Sequence, residues 1–219
     1  MIYQLDELQR IGNGRSKIVY QHPTDVDKVI KVMNPERVDS DGGWKGHGSL
    51  KRRMNQGVYK QFRREILQYF QLCKNHYSLN QFTFPVETVY GLVQTNYGLA
   101  LVTEKIISPD GMGMTLDELC YKNLFEAKHA KALDQFFNNC CDLHIIFGEV
   151  NRGGLMYTEN RHGQPEFVLV DGMGEKLLIP FRAMSKTINT MNVRRVEKKI
   201  KRQISEILAK YDNQLMSIN

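Results

Sequence analysis

Long apolar runs are missing from this chain. No stretch approaches the about 18 residues that a membrane-crossing helix needs, so no membrane span is expected. Cysteine is scarce: Cys73, Cys120, Cys140 and Cys141 are the four, and no C-x-x-C pair occurs among them. That argues against a zinc site and for buried, reduced thiols in a cytoplasmic protein. The first residues, Met1 to Glu7, lack the basic and apolar regions of a signal peptide. The G-x-x-x-x-G-K-[ST] phosphate loop is absent, as are RNA- and DNA-binding motifs, internal repeats and low-complexity tracts. Acid is also in deficit, with 24 Asp and Glu against 30 Lys and Arg, a formal net charge of +6. For the whole chain this reads as solubility, and an anionic partner is considered only for local clusters. What is present is ordinary globular material. The 219 residues are 42% hydrophobic and 25% charged, enough to bury the core of one or two domains.

The first third reads as a strand meander. Tyr3 to Ile11 is a mixed strand ending at Gly12-Asn13-Gly14, and Lys17 to Gln21 is β-branched and aromatic. A His22-Pro23-Thr24-Asp25 turn leads to a strand over Lys28 to Met33. Residues 34–57 are polar and glycine-containing and read as an exposed insert. Helical spacing of Phe62, Ile66, Tyr69, Phe70 and Cys73 predicts a helix over about 58–75. Strands follow over Phe84 to Tyr90 and Leu99 to Ile107, giving the order β-β-β-α-β-β. A lobe boundary falls near Ser108 to Gly113. Beyond it come helices over Thr115–Tyr121 and Leu124–Leu143, a strand pair at Leu155–Tyr157 and Phe167–Val170, and a last helix over Val193–Tyr211.

Three features can carry chemistry. Gly12-Asn13-Gly14 between strands lets backbone N–H groups approach phosphates, since no Cβ intervenes; most such pairs are plain hairpin turns. Lys31 lies in an otherwise apolar strand, where a lysine usually snorkels to the surface. One strand after a glycine turn it can instead reach a phosphate. Glu65, on the following helix, is the residue that would pair with it and aim it. Asp171 ends the apolar run Val168-Leu169-Val170 and precedes Gly172. Its carboxylate suits Mg²⁺, a cation that prefers oxygen, although Asp-Gly is also a common turn.

The pieces Ile11-Gly12-Asn13-Gly14-Arg15, Val19-Tyr20-Gln21-His22-Pro23, Val29-Ile30-Lys31-Val32, Arg63 to Tyr69 and Asp171-Gly172-Met173-Gly174-Glu175 together resemble the protein-kinase superfamily. Within it they are similar to the YrbL family, the PhoP regulatory network proteins. The resemblance implies an α+β, bilobal kinase-like fold. Residues 1–107 would form an N-lobe, an antiparallel sheet with one helix carrying the insert 34–57, and residues 108–219 a reduced helical C-lobe. It implies ATP with magnesium: Gly12, Asn13, Gly14, Val19, Lys31 and Glu65 around the nucleotide, and backbone groups of Glu104 and Ile106 facing adenine. It names no acceptor, which a protein could be.

The stretch Phe147-Gly148-Glu149-Val150-Asn151-Arg152-Gly153-Gly154 departs from the kinase pattern. Glu149 falls where the catalytic Asp belongs, Gly154 where the metal-binding Asn belongs, and Phe147 replaces the His. The extra methylene of Glu displaces a carboxylate by roughly a bond length, and misplacement of about 1 Å costs roughly 100-fold in rate. Asn151 is the candidate to replace the lost metal ligand. Only 48 residues follow Asp171, with no A-P-E motif. Two readings stay open: a phosphotransferase using Lys31, Glu149 and Asp171, and a pseudokinase or regulatory module that binds nucleotide or a protein partner without transfer. The basic run Arg194 to Arg202 reads first as the solvated side of a helix and second as a surface for an anionic partner.

Overall fold

The computed structural model describes residues 2–46, 48, 57–109, 111–176 and 179–216, with side chains to 211. The fold class is α+β, as expected. Backbone contacts divide the chain into two compact units: residues 1–66 with 87–105, and residues 67–86 with 106–219. Residues 67–86, read from sequence as part of the N-lobe, thus group with the second unit.

The first unit is one six-stranded sheet with the first turns of a helix on one face. Its strands are β1 (Ile2–Tyr3), β2 (Arg10–Asn13), β3 (Lys17–Gln21), β4 (Lys28–Met33), β5 (Val89–Thr95) and β6 (Gly98–Glu104). They are ordered β1-β5-β6-β4-β3-β2, all antiparallel except β1, which runs parallel to β5. The helix α1 (Lys60–Asn75) follows β4. Period-2 alternation sorts the side chains. Ile18, Tyr20, Ile30, Val32, Ala100 and Val102 cluster on one face with Leu5. Met33 and Leu101 lie on the other, against Val58 and Phe62. Burial on both faces is why β4 reads as an almost unbroken apolar run. The expected order, β-β-β-α-β-β, gains one strand here, because four strands precede the helix and two follow it.

Three elements differ from expectation. Tyr3 to Ile11 is not one strand, because a 3-10 turn at Leu5–Glu7 buries Leu5 and separates β1 from β2. The strand expected over Phe84–Tyr90 lies at Val89–Thr95, in hairpin register with β6 through Thr95 opposite Gly98. The start of the insert is folded rather than exposed. Val38 bridges Trp44, and both pack against the Met33, Val58, Phe62 and Leu101 cluster. Residues 47 and 49–56 of the insert lie outside the described residues.

The second unit begins with a small hairpin, β7 (Ile107–Ser108) and β8 (Gly111–Met112). Then come α2 (Leu116–Tyr121), α3 (Ala127–Asp142), the hairpin β9 (Leu155–Thr158) with β10 (Glu166–Leu169), α4 (Phe181–Met184) and α5 (Lys186–Met216). A capping box starts α2: Glu118 N–H donates to Thr115 Oγ1, and Thr115 N–H donates to the Glu118 carboxylate. Phe136, Phe137 and Phe147 pack with ring centres 5.2–6.2 Å apart in the core of the second unit, Phe136 stacked on Phe147 and Phe137 edge-on to both. Phe147, expected from sequence to stand in place of a histidine, is therefore a core side chain. The last helix starts at Lys186, seven residues before the expected Val193, because Asn189 is buried and donates to the Ile145 carbonyl.

Candidate functional site

The first unit builds its part from the glycine turn. Gly12 lies opposite Val19 and Asn13 opposite Ile18, and Gly14 N–H donates to the Lys17 carbonyl at 2.9 Å. A Cβ on Gly14 would stand 3.1 Å from that carbonyl, so the turn is tight enough to favour glycine. Val19 lies opposite Lys31 in the β3–β4 register. Alternation then sends Lys17, Val19, Lys31 and Met33 to the helix-bearing face.

Beneath this turn lie four charged side chains, not the two expected. Lys17, Lys31, Glu65 and Glu87 are 5%, 6%, 2% and 0% exposed. Lys17 Nζ donates to Glu65 at 2.5 Å and lies 5.7 Å from the Phe62 ring centre. The short ion pair of Lys31 is with Glu87, from the segment leading into β5. Lys31 and Glu65, expected as a pair, both lie in this larger cluster, in which Glu65 makes a short contact with Lys17. Burial pushes the Glu87 carboxyl above its ordinary value, against the pull of the Lys31 and Lys17 charges. Lys17 and Glu87 were missed in the sequence, and each left a signal. Lys17 follows the glycine turn at the head of β3, and Glu87 is a lone acid in Phe84-Pro85-Val86-Glu87-Thr88-Val89. A charge in such a run needs a partner if it is buried.

At the end of β6, the Glu104 N–H donates to the Thr88 carbonyl, and the Glu104 carboxylate accepts from Thr88 N–H and Oγ1 at 3.1 and 2.9 Å. Ile106 is 3% exposed, and its carbonyl accepts from Gly113 N–H.

In the second unit, two loops clasp. Gly148 and Glu149 N–H groups both donate to the Gly172 carbonyl, at 2.8 and 2.9 Å. Val170 N–H donates to the Gly154 carbonyl, and Phe147 bridges Met173. Glu149 and Asp171 are thus carried on paired backbones. Gly172 makes the approach possible: its φ is +88°, and a Cβ there would lie 2.8 Å from the Glu149 carbonyl. The loop is buttressed by amides, since Gln68 Oε1 accepts from Ile146 N–H and Asn192 Nδ2 donates to the Phe147 carbonyl. Arg182 also donates to that carbonyl and pairs with Glu175.

The side chains are more open than the backbone. The Glu149 carboxylate is 52% exposed and pairs with Lys176. Asp171 is half-buried, and its Oδ1 accepts from Gly172 N–H at 2.8 Å. Asn151 is exposed, with its Nδ2 3.5 Å from the Glu149 carbonyl. A Cβ on Gly154 would stand 3.0 Å from the Asp171 carbonyl. Gly154, expected from sequence to stand where a metal-binding Asn belongs, thus packs against the Asp171 backbone. Among the described residues no cluster of three His, Cys, Asp or Glu side chains is arranged for a metal. This donor set suits a magnesium ion that brings most of its oxygen ligands as water and phosphate, with Asp171 adding a carboxylate.

The basic run on α5 is partly used internally. Arg194 pairs with Glu197, Lys201 with Asp134 and Glu197, and Arg202 with Glu206 at 3.5 Å. Lys198 and Lys199 are exposed. Cys120, Cys140 and Cys141 are buried free thiols. Burial pushes the Cys120 thiol up to about 11, so it stays protonated near neutrality. No described helix is long and apolar enough to cross a membrane.

A glycine-turn sheet unit carrying buried lysine–glutamate pairs, followed by a unit with paired acidic loops, makes an α+β protein. The chain belongs to the family described as PhoP regulatory network protein YrbL, which its residues 3–211 match. It is similar to the YrbL proteins of Escherichia coli (strain K12) and Shigella flexneri, each 25% identical over 187 residues, covering 84% of this chain and 79% of theirs. Among solved structures it is similar to WbdD, at 16% identity and TM-score 0.45, over 75% of this chain and 32% of WbdD. A co-crystal of WbdD with a kinase inhibitor matches at 12% identity and TM-score 0.42, over 73% of this chain and 31% of WbdD.

Proposed function

We propose that this chain is an ATP- and magnesium-dependent phosphotransferase with an altered catalytic loop. The observation that supports it most is the clasp of the second unit, which carries Glu149 and Asp171 on adjoining backbones. In this reading the glycine turn and the buried lysines of the first unit bind the nucleotide phosphates. Backbone groups at Glu104 and Ile106 meet adenine. Magnesium, when bound, neutralises phosphate charge, and Asp171 is its carboxylate ligand, with Asn151 the candidate second ligand. Glu149 accepts the proton of the acceptor hydroxyl. Phosphoryl transfer demands positioning and charge neutralisation more than covalent help, so an altered loop is compatible with turnover.

Gly154 favours a second reading. With no metal-binding side chain there, the protein would bind nucleotide and act through contacts, as a regulatory module. Its acceptor or partner, a protein or an anionic surface meeting Lys198 and Lys199, is part of the proposal in either case.

Thermal unfolding with ATP and magnesium, on wild type and Asp171→Ala, tests nucleotide binding. Ligand at 100 times its Kd stabilises by about 2.7 kcal/mol, a shift of roughly 5–10 °C for this size. The shift is expected in wild type and not in Asp171→Ala. Its absence from wild type at millimolar ATP sinks both nucleotide readings. Slow ATP hydrolysis then separates them: loss on Glu149→Gln supports transfer, and full activity in that variant removes Glu149 from the chemistry.

A further inference from the structure

We infer that the outward face of α5, with the α4 corner before it, is a landing surface for an anionic lipid membrane, apolar at one end and cationic along the rest. The inference gives a chemistry to the anionic-surface partner named above and needs no bound nucleotide.

The helix period fixes the face. Asn189, Val193, Glu197, Ile200, Ile204 and Ile207 are buried and recur every three or four residues, so one side of α5 is turned to the core. Ile188, Met191, Arg195, Lys198 and Arg202 recur at the same spacing on the opposite side, and all are exposed. From Ile188 to Arg202 this line is about 20 Å long at the rise of an α-helix. The first carboxylate beyond it is Glu206, which pairs with Arg202.

Pairing sorts the cations of α5 into two sets. Arg194 and Lys201, on its flank, are held by Glu197 and Asp134. Arg195, Lys198 and Lys199, on the outward side, have no ion-pair partner among the described residues. Their charge is uncompensated, within little more than one turn, and it faces solvent.

The apolar end is too open to serve folding. Ser185 caps α5, its carbonyl accepting the Asn189 N–H and its Oγ the Ile188 N–H. Around this cap Phe181, Met184, Ile188 and Met191 are 49%, 75%, 44% and 68% exposed. Large apolar side chains grouped in the open mark a contact surface. Met184 and Met191 stand out from the protein, and methionine adapts to a soft, irregular neighbour. Acyl chains are such a neighbour and need no matching shape, whereas a nucleic acid would leave the apolar end without a role. A helix lying at a lipid interface satisfies both ends, with apolar side chains among the acyl chains and cations at the headgroup phosphates.

Vesicle co-sedimentation without nucleotide tests this, using phosphatidylcholine alone or with equal parts phosphatidylglycerol. Wild type should pellet with the anionic vesicles and stay in solution with the neutral ones. Each cation near an anionic surface is worth roughly fivefold in affinity, so Lys198→Glu with Lys199→Glu should weaken binding by at least about 25-fold. Met184→Ser with Met191→Ser should weaken it roughly tenfold through lost apolar burial. All four side chains are exposed, so both variants should unfold at the wild-type temperature. Insertion has its own readout. The indole added by Met184→Trp should be quenched by vesicles with brominated acyl chains, beyond any quenching of Trp44 in wild type. Wild type left in solution by anionic vesicles, or bound equally by neutral ones, overturns the inference. So does undiminished binding of the methionine variant, or an unquenched indole on bound protein, since adsorption would then be electrostatic alone. Poly-glutamate bound more tightly than the vesicles overturns it in favour of an acidic protein partner. Because no nucleotide is present, a failure here is distinct from a failure to bind ATP.

Discussion

Glu87 in the first unit and Glu197 in the second each feel two cations, and the protein pushes them in opposite directions. Glu87 has Lys31 in contact and the Lys17 charge nearby, yet its carboxyl is raised because burial outweighs both. Burial also works against Glu197, but hydrogen bonds from Lys201 and Arg194 prevail and hold its carboxyl below the ordinary 4.5. The cations of Glu197 are 45% and 41% exposed at the side chain, whereas that of Glu87 is 7% exposed. Pairing alone therefore does not fix the state of a carboxylate. Water around the partner decides how much of the desolvation is recovered. The first unit keeps its charges in a dry cluster whose members depend on one another. The second sets its ion pairs where solvent shares the load, Glu149–Lys176 among them.

Removing one partner from the dry cluster should have the largest effect. Lys31→Met leaves Glu87 buried without its contacting ammonium and should cost about 3–5 kcal/mol. Urea unfolding of the first unit, followed by a probe near Trp44, would read this. Lys31→Met with Glu87→Leu should recover most of the loss, because two buried charges give way to apolar side chains. A small loss in the single variant would show that water reaches the cluster, and the contrast between the units would collapse.

The same operation in the second unit should matter much less. Lys201→Met removes a contact from both Glu197 and Asp134, but the ammonium is largely solvated. The expected loss is below about 1 kcal/mol. It should shrink further at 1 M salt, where the screening length falls to about 3 Å. Chemical denaturation at low and high salt would measure both. A loss as large as that of Lys31→Met would place this pair in a drier setting than its exposure implies.

Sequence reading was strongest where local pattern and tertiary need agreed. Alternation in Lys17 to Gln21 and Lys28 to Met33, with the helical spacing from Phe62 to Cys73, gave the architecture of the first unit. In the second, Glu149, Gly154 and Asp171 were singled out by their spacing, but the backbone hydrogen bonds that pair their two loops were not expected. Partner choice was hidden. Glu65 was matched to Lys31 by order along the chain, and strand register and side-chain direction bring Lys17 to it as well. Glu87 lay inside a segment read as a strand and was passed over. The insert looked polar throughout, yet Trp44 and Val38 fold its first half onto the core. In each case the missing information was three-dimensional: which face a residue joins, and what lies opposite.

The smallest predicted effect is the one that separates the two glutamates by sign. A carboxyl lowered on folding adds stability above its unfolded pKa and loses it as pH falls toward the folded value, since the unfolded chain then binds more protons. For Glu197 the unfolded value is near 4.5, so its contribution should hold at neutral pH and fade below that point. Glu87 runs the other way. Its folded pKa lies above 4.5, so between the two values the folded state binds more protons and stability falls as pH rises. Stability profiles of Glu197→Gln and Glu87→Gln, each subtracted from wild type across pH 3–8, should therefore slope oppositely. The Glu197 difference should grow with pH through the region just below 4.5, and the Glu87 difference should decline with pH above it. Matching slopes would mean that the buried lysines of the first unit hold Glu87 ionised as firmly as the solvated cations hold Glu197. Desolvation would then not be what distinguishes the two regions.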